Sequence, residues 1–206
     1  MVERNRTRYA VLGALSLGPS SGYEIQRGLE RTVGHFWRES FGQIYPILGD
    51  LVDRGWAAIT RDDPGPRPKR THTITDAGLT ELRRWLQEPF AVVARPRNEV
   101  LLKLFFGSAI SVDASLAHIA RHREHVAAVR ATYVEIERVL HDERSDDPGL
   151  PYWLATVRYG QLQADAALRW CDETTDRLEA AEREGVVRAA DTHAELDADT
   201  GPAAAT

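Results

Sequence analysis

Two short groups of side chains in this sequence could contact another molecule. The first stands at the start of an apolar segment and the second in a turn rich in proline and glycine: Ser40, Gln43 and Tyr45, then Arg67, Lys69 and Arg70. A glutamine amide can form two hydrogen bonds with an adenine edge, and hydroxyl, Arg and Lys groups can bond phosphates. No nucleophile–base pair, paired-carboxylate motif or Gly-rich phosphate loop accompanies them. The pattern therefore indicates binding of a nucleic acid rather than catalysis.

The first group belongs to a predicted helix, the third along the chain, for which Ser40 is the candidate N-cap. Its apolar positions recur at spacings of three and four and end before Gly55: Ile44, Ile47, Leu48, Leu51 and Val52. Pro46 would strain a helix interior, because its ring approaches the carbonyl group four residues back. The sequence therefore predicts an amphipathic helix here but leaves its first turn open.

The second group lies at the tip of a predicted hairpin. Residues 56–60 and 71–75 have the composition of two strands, and Gly65 with three prolines forms the turn between them. A helix followed by a hairpin with a basic tip is typical of a winged helix-turn-helix, in which the helix enters a DNA groove and the wing meets the backbone.

Two helices are predicted before this pair, over about residues 4–16 and from Ser21 onward. Ser21 followed three residues later by Glu24 matches a capping box, and Gly18-Pro19 separates the two helices. The start of the second helix, near Ser21 and Tyr23, could hold a phosphate through its free amides. A fourth helix should open at Thr75-Asp76 and end at Pro89.

The second half of the chain is predicted to be helical. A short apolar helix over residues 100–106 precedes a long one from Ser111 to about His141, and another long helix follows the turn at residues 145–149. Both long helices repeat apolar residues at a three-four spacing, which suits either an antiparallel pair or a bundle between subunits.

The predicted fold is mainly α with a small two-stranded β-wing. Residues 1–90 should form the winged helix-turn-helix DNA-binding domain, and residues 96–186 a helical, coiled-coil-like dimerisation domain. Residues 187–206, rich in Ala, Asp and Thr without periodicity, should form a disordered tail.

Charge is distributed unevenly along the chain, whose formal net charge is −5. Residues 1–89 carry 13 Lys and Arg against 11 Asp and Glu, a net charge of +2, whereas the remainder carries −7. A basic surface on the first half is therefore compatible with an acidic total. The single cysteine, Cys171, suits a reducing compartment, and no apolar segment is long enough to span a bilayer. We expect a cytoplasmic protein without a membrane partner.

Three segments closely resemble the PadR family of bacterial transcriptional regulators. They are Gly-Pro-Ser-Ser-Gly-Tyr-Glu-Ile at 18–25, Ser-Phe-Gly-Gln-Ile-Tyr-Pro-Ile-Leu at 40–48 and Ile-Thr-Asp-Ala-Gly at 74–78. The resemblance implies a homodimer that binds double-stranded DNA at a pseudo-palindromic operator as a repressor, and release by a small aromatic ligand. Trp153 and Trp170 on the last helix are the candidate effector-binding residues, although aromatic residues at helical spacing are more often core. Gly49 and Asp50 replace a commonly basic exposed pair, which should weaken contact with the DNA backbone.

Two other classes of function, protein contact and catalysis, fit the sequence less well. A winged-helix module for protein contact without sequence-specific DNA binding is the alternative. The basic wing and the polar end of the third helix favour DNA binding over it, whereas the acidic net charge keeps it open. An enzyme is not predicted, and neither a metal nor a cofactor is expected. His118, His122 and His125 recur at helical spacing, but no Cys or carboxylate partner accompanies them in a metal-binding pattern. His122 in a predicted seam suggests, as a further hypothesis, that dimer packing depends on pH.

Overall fold

The structure is a computed structural model that describes residues 2–32, 34, 43–63, 69–89 and 98–186. It divides into two compact units, Met1–Ala94 and Arg95–Thr206. The first unit contains helices α1 (Val2–Ser16), α2 (Gly22–Thr32), α3 (Ile44–Asp53) and α4 (Asp76–Gln87), with strands β1 (Ser20–Ser21), β2 (Ala57–Asp63) and β3 (Lys69–Ile74). The second contains α5 (Glu99–Phe105), a 3-10 turn (Gly107–Ala109), α6 (Val112–Arg144) and α7 (Leu150–Arg183).

Local capping explains where several helices begin. In α2, the Ser21 hydroxyl accepts a hydrogen bond from the Glu24 amide at 3.4 Å, and the Glu24 carboxylate accepts one from the Ser21 amide at 2.9 Å. The predicted capping box is therefore confirmed. In α4, the Thr75 hydroxyl accepts from the Gly78 amide at 3.1 Å. Each contact satisfies a helix-terminal N–H group that has no partner within the helix.

The prediction that Ser40 is the N-cap of the third helix is wrong. Helix α3 begins at Ile44, with Gln43 as its N-cap. Pro46 is the third residue of the helix and lies in its first turn, where a missing backbone N–H group costs no intrahelical hydrogen bond. Ser40 itself lies outside the described residues.

The sheet of the first unit has three strands in the order β1-β3-β2, all antiparallel. The two expected wing strands pair from Ala57 opposite Ile74 to Asp63 opposite Lys69, with an irregularity in register between Ile59 and Arg61. The short strand β1 was not predicted. It pairs Ser20 with His72 and joins the start of α2 to the wing.

One apolar core fills the first unit between the helices and the sheet. Its fully buried side chains come from α1, α2 and α3: Val11, Leu12, Leu15, Ile25, Ile44, Leu48 and Leu51. Helix α4 is joined to α1 by Tyr9, whose ring stacks on Trp85 at 4.5 Å and whose hydroxyl donates to Glu81 at 2.7 Å. The core thus fixes α3 and the sheet in relation to each other.

Helices α6 and α7 pack along each other within one chain and run antiparallel. Arg123 pairs with Asp172 and Arg130 with Asp165, so residue numbers fall along α7 as they rise along α6. Buried residues recur every seven positions on α6: Val112, Ile119, Val126 and Tyr133. The antiparallel pair that the sequence left open is therefore present within the chain. Among the helices of the described segments, none is long and apolar enough to cross a membrane.

Candidate nucleic-acid interface

The N-terminal ends of α2 and α3 meet where Tyr45 approaches Gly22. A β-carbon placed on Gly22 would lie 2.7 Å from Cε1 of Tyr45, so only glycine leaves room for the ring in this position. Gly22 is the first residue of α2 and Tyr45 the second of α3. The contact therefore brings two helix N-termini, both of which attract negative charge, to one place.

Exposed polar and aromatic side chains stand beside this contact. Tyr45 keeps 64% of its surface exposed and Tyr23 keeps 61%, and Gln43 is also exposed. The guanidinium group of Arg27, one turn along α2, lies 5.9 Å from the ring centre of Tyr23. Large aromatic side chains so exposed contribute little to the core and are available for contact with another molecule.

The wing adds positive charge next to the start of α2. Lys69 and Arg70 open β3 and are exposed. The Lys69 ammonium group lies 2.9 Å from the Glu24 carboxylate, which ties the base of the wing to α2. Three hydrogen bonds lower the pKa of Glu24 to about 2. The strongest cause is the bond from the Ser21 amide, followed by those from Lys69 and from the Ser21 hydroxyl.

The predicted contact residues thus differ in how exposed they are. Five of them are exposed, and all lie in the first unit. Tyr23 lies on α2, Gln43 and Tyr45 at the start of α3, and Lys69 and Arg70 on β3. Ser21 is buried, and its hydroxyl donates to Glu24 at 2.8 Å, so this side chain holds the start of α2. Ser40 and Arg67 lie outside the described residues.

Asp50, which the resemblance placed in a commonly exposed pair on α3, is only partly exposed and is paired with two guanidinium groups. Its carboxylate lies 2.8 Å from Nε of Arg8 on α1 and 2.9 Å from Nε of Arg54. Both guanidinium groups also lie over the ring of Trp56, at 6.0 and 5.3 Å. Asp50 therefore supports the α1–α3 contact.

Comparison with known proteins agrees with this architecture. The model of the transcriptional regulator PadR-like family matches residues 11–84, and that of the virulence activator alpha C-terminal family matches residues 96–179. A probable transcriptional regulator of Mycobacterium tuberculosis is 31% identical over 183 residues, which are 83% of this chain and 96% of that protein. The negative transcriptional regulator PadR of Bacillus subtilis is 35% identical over 105 residues, 50% of this chain and 58% of that protein.

The chain belongs to the PadR-like family of transcriptional regulators.

A solved structure of Bacillus subtilis PadR in complex with operator DNA has the same fold, with a TM-score of 0.72 and 25% identity over 84% of this chain and 98% of that chain. The predicted PadR resemblance and the mainly helical winged fold are thereby confirmed. The PadR-like match runs from α1 into α4 and so spans all the contact residues that the structure describes in the first unit.

In the second unit of this PadR-like chain, the two candidate effector residues are far apart. Trp153 and Trp170 lie on one continuous helix, and 17 residues at ~1.5 Å per residue separate them by about 25 Å, so one pocket of a single chain cannot include both. Trp170 meets the edge of His122 with ring centres 6.0 Å apart. His122 lines an open pocket of about 440 Å³ between α5 and α6, together with Glu99, Val100, Lys103, His118, Arg121 and His125.

The histidines of this pocket do not assemble a metal site. Among the described residues, no three His, Cys, Asp or Glu side chains stand in an arrangement that could hold a metal ion. The Glu99 carboxylate instead pairs with Lys103 at 2.9 Å, and this contact lowers the pKa of Glu99.

Sequence reasoning missed two contacts of the candidate interface. The contact of Gly22 with Tyr45 joins residues of two separate helices, and that of Glu24 with Lys69 spans 45 positions. A glycine just after a capping serine was the one local signal for the first contact, because glycine at a helix start favours close approach. The second had no local signal.

Proposed function

We propose that this PadR-like regulator is a homodimeric repressor that binds a pseudo-palindromic DNA operator and is released by a small aromatic effector. It acts without catalysis, metal or cofactor. The observation that carries the DNA-binding part is the contact of Tyr45 with Gly22, which gathers two helix N-termini, exposed aromatic rings and the cationic base of the wing.

Each side chain has a separate role in the proposed complex. Gln43 and Tyr45, at the start of α3, contact base edges in the major groove, where the first turns of a recognition helix reach the bases. Tyr23 bonds a phosphate near the start of α2, and Ser21 acts indirectly by holding that helix end. Ser40 precedes α3 and would meet the DNA at the same end of the helix. Arg67 and Arg70 belong to the wing, where cations meet the backbone or the minor groove, whereas Lys69 of the same wing is paired with Glu24.

Dimerisation is supported by apolar surface in the second unit. Four large side chains of α5 and the residue after it are exposed: Leu101 at 49%, Leu102 at 60%, Phe105 at 80% and Phe106 at 61%. A contiguous apolar face of this kind on a regulator is typical of an interaction site. Two winged units held together then read two half-sites, which raises affinity above that of one unit.

Repression and release by an effector each have separate support. The printed name of the Bacillus subtilis relative, a negative regulator, supports repression. The half-buried Trp170 beside His122 and the adjoining open pocket support a ligand site in the second unit, whereas Trp153 lies against Gly149 at the start of α7.

Selection of duplexes from a random pool by the purified full chain tests the proposal. We expect enrichment of an inverted repeat. Arg70→Ala should weaken binding to all duplexes alike, and Gln43→Ala should change the preferred base at one position in each half-site. Arg83→Ala, an exposed cation of α4, is the matched control and should bind as the wild type does.

If no sequence is enriched and no duplex is bound in a salt-dependent way, the DNA-binding role is contradicted. The long helices would then be examined as a surface for protein partners. A promoter fusion in cells separates repression from activation, since loss of the regulator should raise transcription from a repressed promoter.

A further inference from the structure

The carboxylate of Glu24 is engaged on both of its oxygens. One accepts from the Ser21 amide at 2.9 Å and from the Ser21 hydroxyl at 2.8 Å. The other accepts from the Lys69 ammonium group at 2.9 Å. Glu24 and Lys69 keep 49% and 52% of their side-chain surface exposed, so this ion pair lies at the surface between α2 and the wing.

This arrangement places a fixed negative charge where a phosphate would otherwise bind. Helix N-termini attract anions through their free amides and dipole, and a lysine beside them would add to that attraction. Here the Glu24 carboxylate satisfies the Ser21 amide and neutralises Lys69. This carboxylate is ionised at neutral pH, and its hydrogen bonds lower its pKa further, from 4.5 to about 2. A DNA phosphate approaching this point therefore meets no net positive charge from the pair.

We propose that Glu24 limits the DNA affinity of the interface by holding Lys69 in an ion pair, so that Lys69 positions the wing on α2 and forms no phosphate contact. This inference rests on the proposed DNA-binding function and refines it. The first residue of β3 then acts as a structural link, and the electrostatic part of DNA binding comes from other cations of the surface. Glu24 becomes a residue that sets affinity without touching a base.

The salt dependence of binding tests this role, because each phosphate contact made by a cation contributes about −0.9 to the slope of log K against log salt. Four proteins are compared on the duplex that the wild type selects: wild type, Glu24→Gln, Lys69→Ala and the double variant. Glu24→Gln is the informative change. Glutamine at this position of a capping box also accepts from the serine amide, so α2 keeps its start while the negative charge is removed.

We expect Lys69→Ala to retain the wild-type slope within about 0.3, since its charge is already neutralised. Glu24→Gln should steepen the slope by about 0.9 and bind roughly two- to fivefold more tightly, as expected for release of one exposed ion pair. The double variant should return to the wild-type slope. Thermal unfolding followed by circular dichroism checks that every variant is folded.

A slope that becomes shallower by about 0.9 in Lys69→Ala alone would overturn the proposal, because Lys69 would then contact a phosphate in the complex. Weaker binding by Glu24→Gln would also overturn it. Should Glu24→Gln fail to fold, the slope of Lys69→Ala still decides the question. If the wild type selects no duplex at all, the proposed function fails and this inference fails with it.

Discussion

The ring of Tyr45 lies on the backbone of Gly22, with only 2.7 Å between Cε1 and the position that a β-carbon would occupy. Neither residue is in the apolar core, and Tyr45 keeps most of its surface exposed. The contact therefore fixes the position of the ring and does not contribute to the core. A rigid tyrosine at the start of a recognition helix lowers the entropy lost when it contacts DNA.

Replacing Gly22 by Ala should displace the ring of Tyr45. We expect a loss of DNA affinity of about tenfold, or ~1.4 kcal/mol, and a loss of stability of only about 1 kcal/mol, because the exposed ring can turn away. Gly28→Ala is the matched control on the same helix, since a β-carbon at Gly28 meets nothing within 4 Å. It should leave DNA binding unchanged and raise stability by roughly 0.5–1 kcal/mol. Equal DNA affinities of the two variants would contradict the role given to this contact.

The Glu81 carboxylate of α4, which accepts hydrogen bonds from Arg84 and from Tyr9 of α1, should make stability depend on pH. Hydrogen bonds from Arg84, and secondly from the Tyr9 hydroxyl, lower the pKa of Glu81 from its usual 4.5 to about 2. The stabilisation is therefore fully present above about pH 4.5 and is lost as pH falls through about 2. Glu81→Gln should lower the free energy of unfolding by about 1 kcal/mol at pH 7, and the variant should lose less stability on acidification than the wild type does.

Glu88→Gln is the control for this experiment. Glu88 pairs with the same Arg84 but is 49% exposed, against 15% for Glu81, so its loss should change stability by less. Urea unfolding at pH 3 and pH 7 measures both variants. Because the pKa of Glu24 is also near 2, the Glu81→Gln protein should keep part of the pH dependence. If Glu81→Gln keeps the full pH dependence of the wild type, Glu81 is excluded as its source.

In the second unit, Tyr133 of α6 and Gly160 of α7 should be strongly coupled. A β-carbon on Gly160 would lie 2.2 Å from Cζ of the buried Tyr133 ring. Gly160→Ala should therefore cost about 1–3 kcal/mol through overpacking. In a Tyr133→Leu background the same change should cost much less, because the ring is absent. If chemical unfolding shows that the two costs are additive in the double-mutant cycle, the helices accommodate the added β-carbon without displacing the Tyr133 ring.

The exposed face of α5 should carry part of the dimer interface. Phe105→Glu places a charge on the most exposed of its apolar side chains and should weaken self-association by at least tenfold, ~1.4 kcal/mol, since a buried unpaired carboxylate is costly. Sedimentation equilibrium measures the change. Gln87→Glu adds the same charge to the exposed surface of α4 and should leave association unchanged. A dimer that tolerates Phe105→Glu would place the interface elsewhere.

The candidate effector residues can be separated by single substitutions. In Trp170→Phe, the concentration of a small aromatic acid needed to release DNA should rise by a factor of about three or more, since Trp170 lies beside the His122 pocket. Trp153→Phe, about 25 Å away along α7, should release DNA as the wild type does. Release measured by fluorescence anisotropy of labelled DNA distinguishes the two, and an equal effect of both substitutions would contradict a site at Trp170.

Local patterns predicted most helices because the forces that form them act within a few residues. The capping box of Ser21 and Glu24 and the N-cap of Thr75 appear in the structure as the sequence predicts. For α3 the sequence offered Ser40 as a candidate N-cap and left the first turn open, whereas the helix begins at Ile44, where the fixed backbone of Pro46 suits the first turn. Strand β1 is too short to show any periodicity.

The sequence by itself determined which faces of the helices are apolar, where the wing strands lie and which polar residues precede the third helix. Tertiary structure alone decided that Tyr45 rests on Gly22, that Glu24 holds Lys69 and that Asp50 turns toward Arg8. It also decided that α6 packs on α7 of the same chain. Periodicity records which side of an element avoids water, but the angle at which two elements cross depends on how all their side chains fill the space between them.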